Sequence, residues 1–347
     1  MSVITDGLLA AAPYLCLALS YGLLYGMLGI MDLTVAARFA AAGYAGSIAC
    51  GVLGWYPPRD GVVMFAAFGG ALGISLISWF LIKPLSAYNQ LSGMVGSVGI
   101  AFVFQSIFQL IFGTAPRVYT SYPVEAGFVI AGTIATPLQL ISFVYAVVSI
   151  AVTSGILYGA GWGRALQAVA ADPEVAATVF GIKRRSLEWQ VNMIVALIIA
   201  PCAVFYGAAH GVSPGTGVEM SLLAFVSAIV AGRGRPIGAV GVAGFLMIIR
   251  SAVIRSPLCD VIIYLSLGLA AYYGIQYSRS MTTKIITVTL ATLVAGGIRF
   301  VNDQMPTLFP NYVMPSEYQD VAIYAMVSIA LLVKPTGLFA RPAERIV

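Results

Sequence analysis

The chain has 347 residues, 60% of them hydrophobic and only 9% charged, with a formal net charge of +5 and a mean hydropathy of +0.95. A soluble domain carries about 25% charged residues, so an aqueous fold is excluded and the class is a polytopic integral membrane protein. Lys and Arg are scattered through short loops, a pattern that sets membrane orientation and argues against nucleic acid as a partner.

No Lys or Arg precedes Arg38, so the N-terminus lacks the basic region of a cleaved signal peptide. A helix needs about 20 apolar residues to cross the hydrocarbon core. The first candidates are Gly7 to Met31, Val35 to Leu53, Gly61 to Ile82, Ser92 to Gly113, Leu138 to Trp162 and Trp189 to Gly211. An interrupted stretch, Ser221 to Ile249, follows, and it reads either as re-entrant or as a straight span. Val261 to Tyr277, Ile285 to Val301 and Val321 to Val333 complete the series. The runs are continuous rather than alternating, which excludes a barrel. The expectation is an all-α polytopic membrane protein forming a single domain, with about 8–10 transmembrane helices, at least one of them broken or re-entrant.

Arg164, Lys183, Arg184 and Arg185 flank a polar island, which places that loop in the cytoplasm. Counting back, Lys83 is cytoplasmic, and Trp55-Tyr56-Pro57-Pro58, the Thr114 to Pro137 loop and the N-terminus are outside. A re-entrant Ser221 to Ile249 puts Arg279, Lys284, Lys334, Arg341, Arg345 and the C-terminus in the cytoplasm, although Arg250 and Arg255 count against it.

Two breaks interrupt apolar helices: Gly29-Ile30-Met31-Asp32-Leu33-Thr34, followed by Arg38, and Gly232-Arg233-Gly234-Arg235-Pro236-Ile237-Gly238. Non-helical backbone at membrane depth is tolerated only against protein or a water-filled cavity. Paired discontinuities in the two halves of a chain point to a transport path. Asp32 and Arg38 are also expensive in lipid. Asp32, Thr34, Arg38, Gly232, Arg233 and Arg235 are therefore candidates to line a path for a zwitterionic or polar solute; the alternative is that both breaks are simple interfacial turns. Glycines three or four apart, such as Gly22 and Gly26, or Gly93, Gly96 and Gly99, or Gly238, Gly241 and Gly244, read as close helix packing.

The polar island spans residues 163–185. Asp172 is a natural N-cap, Pro173 suits the first helical position, Glu174 favours the positive end of the helix dipole, and Gly181 closes the helix. The expected helix runs from Pro173 to Phe180, leaving Val175, Val179 and Phe180 exposed for burial against a partner. Spacing alone reads equally as an ordinary capped surface helix. No catalytic constellation is present. There is no Gly-x-x-x-x-Gly-Lys-Ser/Thr phosphate loop, the single His210 builds neither a zinc site nor a triad, and Cys16, Cys50, Cys202 and Cys259 lack metal-pair spacing and read as buried thiols.

Several motifs resemble one family. Tyr21-Gly22-Leu23-Leu24-Tyr25-Gly26-Met27-Leu28-Gly29-Ile30-Met31-Asp32 with Gly43-Tyr44 is similar to its opening motif. Gly163-Arg164-Ala165-Leu166, Ala168-Val169-Ala170, Asp172-Pro173-Glu174 and Gly181-Ile182 resemble its coupling segment. Val212-Ser213-Pro214-Gly215-Thr216-Gly217 and Lys334-Pro335-Thr336-Gly337-Leu338-Phe339 add to the likeness. The chain thus resembles the permease subunit of bacterial ATP-binding-cassette importers of the branched-chain amino acid (Liv) type. That resemblance implies a non-catalytic subunit of the inner membrane that binds no cofactor itself, with ATP and Mg on partner subunits. It also implies a second permease subunit (a copy or a paralogue), two ATPase subunits and a solute-binding protein. Arg164 and the 172–181 segment would then couple to the ATPase. The family more often carries Asn at the position of Asp32 and Gly at Ala36, and Arg38, Arg233 and Arg235 are unusual there. Residues 259–304 look like an extra helical hairpin. These departures bear on the solute and leave the importer standing; the other transport classes the residues admit are an ion-coupled secondary transporter or a channel.

Overall fold

The computed structural model describes residues 2–53, 60–88, 90–117, 119, 127–130, 133–178, 181–232 and 234–255. The expected spans after 259, the extra hairpin 259–304, the C-terminal charges, Cys259, Arg233, Val179 and Phe180 lie outside the described residues. Among the described residues the chain is all-α apart from one short hairpin. The helices are α1 (Ser2–Tyr21), α2 (Val35–Leu53), α3 (Asp60–Tyr88), α4 (Gln90–Phe112), α5 (Pro137–Gly159), α6 (Gly161–Ala171), α7 (Pro173–Thr178), α8 (Arg184–His210), α9 (Thr216–Ala231) and α10 (Pro236–Arg255). A π-helical segment, Gly22–Met27, continues α1. The strands β1 (Phe128–Ile130) and β2 (Thr133–Ala135) pair antiparallel within the loop before α5.

Among the described residues, five helices are long and apolar enough to cross a membrane: Gly7–Met27, Gly61–Leu85, Ser92–Phe112, Pro137–Gly159 and Arg184–His210. This is a multi-pass membrane protein, as its composition requires. The helices fall into two groups. α1 is enclosed, with 83% of its apolar window buried, whereas for α4 the share is 11%. α1 packs on α10, α9, α5 and α8, while α2 packs on α3, α8 and α9. α3, α4 and α5 present Phe65, Phe80, Phe102, Leu110 and Val144 outward, the composition expected of a lipid-facing shell.

Lipid tails are as apolar as leucine, so small residues and backbone contact hold such helices together. A Cβ on Gly22 would stand 2.8 Å from Pro236 Cα, and one on Gly7 2.9 Å from Ile248 Cα. Those glycines set the close approach of α1 and its π-helical continuation to α10. Glycine spacing alone overstates this, because Gly99 and Gly241 face open space. Cys16, Cys50 and Cys202 are buried, as their apolar surroundings in sequence suggest.

One boundary differs from expectation. The apolar run Leu138 to Trp162 is not one helix: α5 ends at Gly159, Ala160 is extended, and Trp162 belongs to α6. Glycine on both sides of Ala160 weakens helix continuation there. α5 itself begins with a capping box, in which Thr136 and Gln139 bond reciprocally across Pro137.

Candidate functional site: a buried charged network and an exposed helical elbow

Both expected breaks exist. After Met27 the chain leaves the π-helical segment, turns through Gly29 at φ +70° and enters α2 at Val35. Asp32 shapes this entry. Its Oδ1 accepts from the Thr34 backbone N–H at 2.9 Å and from Thr34 Oγ1 at 2.5 Å. A carboxylate holding the first turn of a helix satisfies an orphan donor and complements the helix dipole. The other oxygen, Oδ2, pairs with Arg38 Nη2 one turn into α2.

Arg38 is fully buried and Asp32 is 4% exposed. Such a pair in a membrane interior persists only if its remaining polar atoms are met. Arg38 Nη1 donates to Asn192 Oδ1 of α8 at 2.8 Å, and Nη2 donates to Ser78 Oγ of α3 at 3.0 Å and to Thr34 Oγ1 at 3.3 Å. Asn192 is held by its own Nδ2 donating to the Glu188 carbonyl at 2.8 Å. The Leu33 N–H donates to Ser97 Oγ of α4 at 3.1 Å. Tyr21, fully buried at the end of α1, lies within electrostatic reach of Asp32 and Arg38 and faces Ser221 of α9. One polar atom here, Arg38 Nε, has no hydrogen-bond partner among the described residues.

The second break meets the first helix directly. Gly232 and Gly234 take φ of +86° and +82°, left-handed backbone that suits glycine. The Gly234 N–H donates to the Gly26 carbonyl at 2.7 Å, so the turn between α9 and α10 bonds to the π-helical segment. Irregular backbone at one break is thus satisfied by irregular backbone at the other. Gly232 is buried, and Arg235 is exposed rather than part of the Asp32 network. The structure therefore joins Asp32, Thr34 and Arg38 into one cluster and the two breaks into one junction.

The polar island forms an elbow of α6 and α7. α6 buries Gly163, Leu166 and Val169 along one face and leaves Arg164 exposed. A Cβ on Gly163 would fall 2.2 Å from the Leu157 carbonyl oxygen, so only glycine lets α6 fold back on the end of α5. Gln167 Nε2 caps that same carbonyl at 2.8 Å, and Trp162 Nε1 donates to Gln190 Oε1 of α8 at 2.7 Å. Asp172 separates the helices and caps α7: Oδ1 accepts from the Val175 N–H at 3.1 Å. Pro173 and Glu174 form its first turn. Gly181 takes φ +64°, and the Ile182 N–H returns to the Ala176 carbonyl at 3.1 Å. Ala176 is buried, while Val175 is 43% exposed. α6 also packs on the π-helical segment, and Arg184 Nη2 donates to the Leu28 carbonyl at 3.3 Å. The elbow is thus in contact with the first break.

Sequence reasoning missed Asn192, Ser78 and Tyr21. A polar residue inside an apolar run, as Asn192 is within Trp189 to Gly211, was the available signal. It also missed a strap across the middle of α2. Arg117 and Val212 exchange backbone hydrogen bonds at 2.9 and 2.8 Å, and Tyr119 Oη donates to the Gly43 carbonyl at 2.7 Å. Burial pushes the Tyr119 phenol up, which keeps it a donor.

Comparison with known proteins agrees with this architecture. A family model described as branched-chain amino acid transport system / permease component matches residues 3–258. The high-affinity branched-chain amino acid transport system permease protein BraD of Pseudomonas aeruginosa is 21% identical over 352 residues, covering 98% of this chain and 95% of the relative. The corresponding permease protein LivH of Escherichia coli K12 is 22% identical over 349 residues, covering 97% and 94%. A solved structure, PsaBC from Streptococcus pneumoniae in complex with Fab, overlaps at a TM-score of 0.40 with 11% identity, covering 88% of this chain and 96% of that one, a likeness too loose to inform any detail. The chain belongs to the branched-chain amino acid transport permease family, the Liv-type importer permeases.

Proposed function

We propose that this chain forms the translocation path of an ATP-binding-cassette importer for branched-chain or related amino acids. The observation that carries the reading is a match to the permease family over residues 3–258, joined to a chain that holds a charged network inside and an apolar side chain outside on a capped elbow. ATP is hydrolysed on two partner ATPase subunits, and the chain itself binds neither nucleotide nor Mg. A second permease subunit, a copy or a paralogue, completes the path, and a solute-binding protein delivers the cargo. The protein sits in the bacterial inner membrane with its N-terminus outside and its C-terminus and the α6–α7 elbow in the cytoplasm, as the basic residues around 163–185 favour.

In this mechanism the ATPase grips α7 through Val175 and its neighbours, with Arg164, Asp172, Pro173, Glu174, Val179, Phe180 and Gly181 forming the rest of the docking segment. Closure of the ATPase displaces the elbow. α6 passes that displacement to the π-helical segment it packs on, and the segment passes it to the α9–α10 turn through the Gly26–Gly234 bond. Asp32, Thr34 and Arg38, just beyond, line the path. A coupling route is a physical claim only where a contiguous element has two arrangements that both sites bias; here the element is the double break.

The test replaces residues 173–180 with a Gly/Ser linker in the reconstituted importer. ATP hydrolysis by the ATPase subunits should persist while ATP-driven uptake of leucine is lost. Normal uptake by that variant would defeat the docking role.

A further inference from the structure

We propose that Arg38 is the group that selects the carboxylate of the solute, that Asp32 is its resting counter-ion, and that the two exchange partners when an α-amino acid passes. The inference rests on the amino-acid reading above and assigns the recognition chemistry within it. Its basis is the way the guanidinium is used. A carboxylate docks best on arginine through two parallel N–H···O bonds. Asp32 supplies one oxygen, Oδ2, to Nη2, a nitrogen that also donates to Ser78 and Thr34. Its second oxygen is engaged elsewhere, because Oδ1 is held by the Thr34 backbone N–H at 2.9 Å and by Thr34 Oγ1 at 2.5 Å. Nε is left buried with no partner among the described residues. A network this well paired elsewhere leaves the Nε donor unused.

A free carboxylate meets Nε and Nη2 together and displaces Oδ2. Asp32 does not leave, since Thr34 still anchors it at the start of α2. Its released Oδ2 then faces the ammonium that an α-amino acid carries on the adjacent carbon. No charge is left unpaired in the interior at any point, which is the condition for moving a zwitterion past a low-dielectric site. Because Arg38 is fully buried, the exchange requires the double break to open first.

The test is equilibrium binding to the assembled transporter in lipid nanodiscs without its solute-binding protein. The probes are L-leucine, L-leucinamide, which lacks the carboxylate, and 4-methylpentanoate, which lacks the ammonium. The intact protein should prefer leucine over both at least about tenfold. Arg38→Gln should erase the preference over leucinamide and keep that over 4-methylpentanoate; Asp32→Asn should do the reverse. The double variant, which carries no unpaired charge and so guards against misfolding of the single ones, should bind all three alike. Parallel weakening of all three probes in folded single variants, or preferences unchanged in the double variant, would overturn the exchange while leaving amino-acid transport intact. An assembled wild type that binds none of the probes and, in proteoliposomes supplied with its solute-binding protein, takes up no leucine with ATP would remove the transport reading and the inference together.

Discussion

The break before α2 and the elbow of α6 and α7 look alike in sequence: each is a polar interruption in an apolar chain. In three dimensions they are opposites. At the break, charged and polar side chains turn inward and are met by residues of α3, α4 and α8. At the elbow the helix-end bonds of Gln167 and Asp172 are local, Trp162 and Arg184 tie it to Gln190 and Leu28, and Val175 points outward. The first arrangement stakes the fold on its polar groups. The second is a capped unit with an apolar side chain left at its surface. Polarity in a membrane chain therefore marks two different things, and the direction of the side chains separates them.

The contrast is sharpest in stability. Arg38→Ala leaves the Asp32 carboxylate buried without its cation, and stranding one partner of a buried pair costs about 3–5 kcal/mol. Thermal unfolding of the purified protein in detergent should show a large drop, most of it recovered when Asp32→Asn is added. An unchanged midpoint would mean the pair is not buried as described. Gly163→Val tests the hinge of the elbow. Its added atoms must displace the Leu157 carbonyl or α6 itself, and overpacking of this kind costs about 1–3 kcal/mol. Uptake should fall further than stability, because α6 is what touches the π-helical segment; equal losses would sever that link. Asp172→Ala removes the cap of α7, worth about 1 kcal/mol of local helix stability. Hydrogen exchange of α7 should quicken while the global unfolding midpoint stays put. If the midpoint falls as much as it does for Arg38→Ala, the cap is not a local device.

The elbow's capping residues were legible because their chemistry is local. Asp172, Pro173 and Gly181 act on backbone within a few residues, and the structure places a cap, a first turn and a left-handed stop where spacing puts them. α6 was hidden because its apolar face continues the apolar run of α5, so hydropathy could not show the turn at Ala160. The charges at Asp32 and Arg38 stood out as costly in lipid, yet their partners did not. Asn192 is 154 positions from Arg38, and nothing in a one-dimensional pattern joins them. The meeting of the two breaks was also beyond reach: Gly22 and Gly26 read as a packing pair, whereas Gly26 serves as a hydrogen-bond acceptor for the second turn.

The proposed function makes this chain one part of a machine whose motor is a separate subunit. ATP-driven leucine uptake in proteoliposomes, measured for the permease with and without its ATPase subunits, examines that division directly. Uptake should require both the ATPase and ATP, and vanish without either. Concentrative uptake or ion-coupled flux by the permease alone would contradict the account.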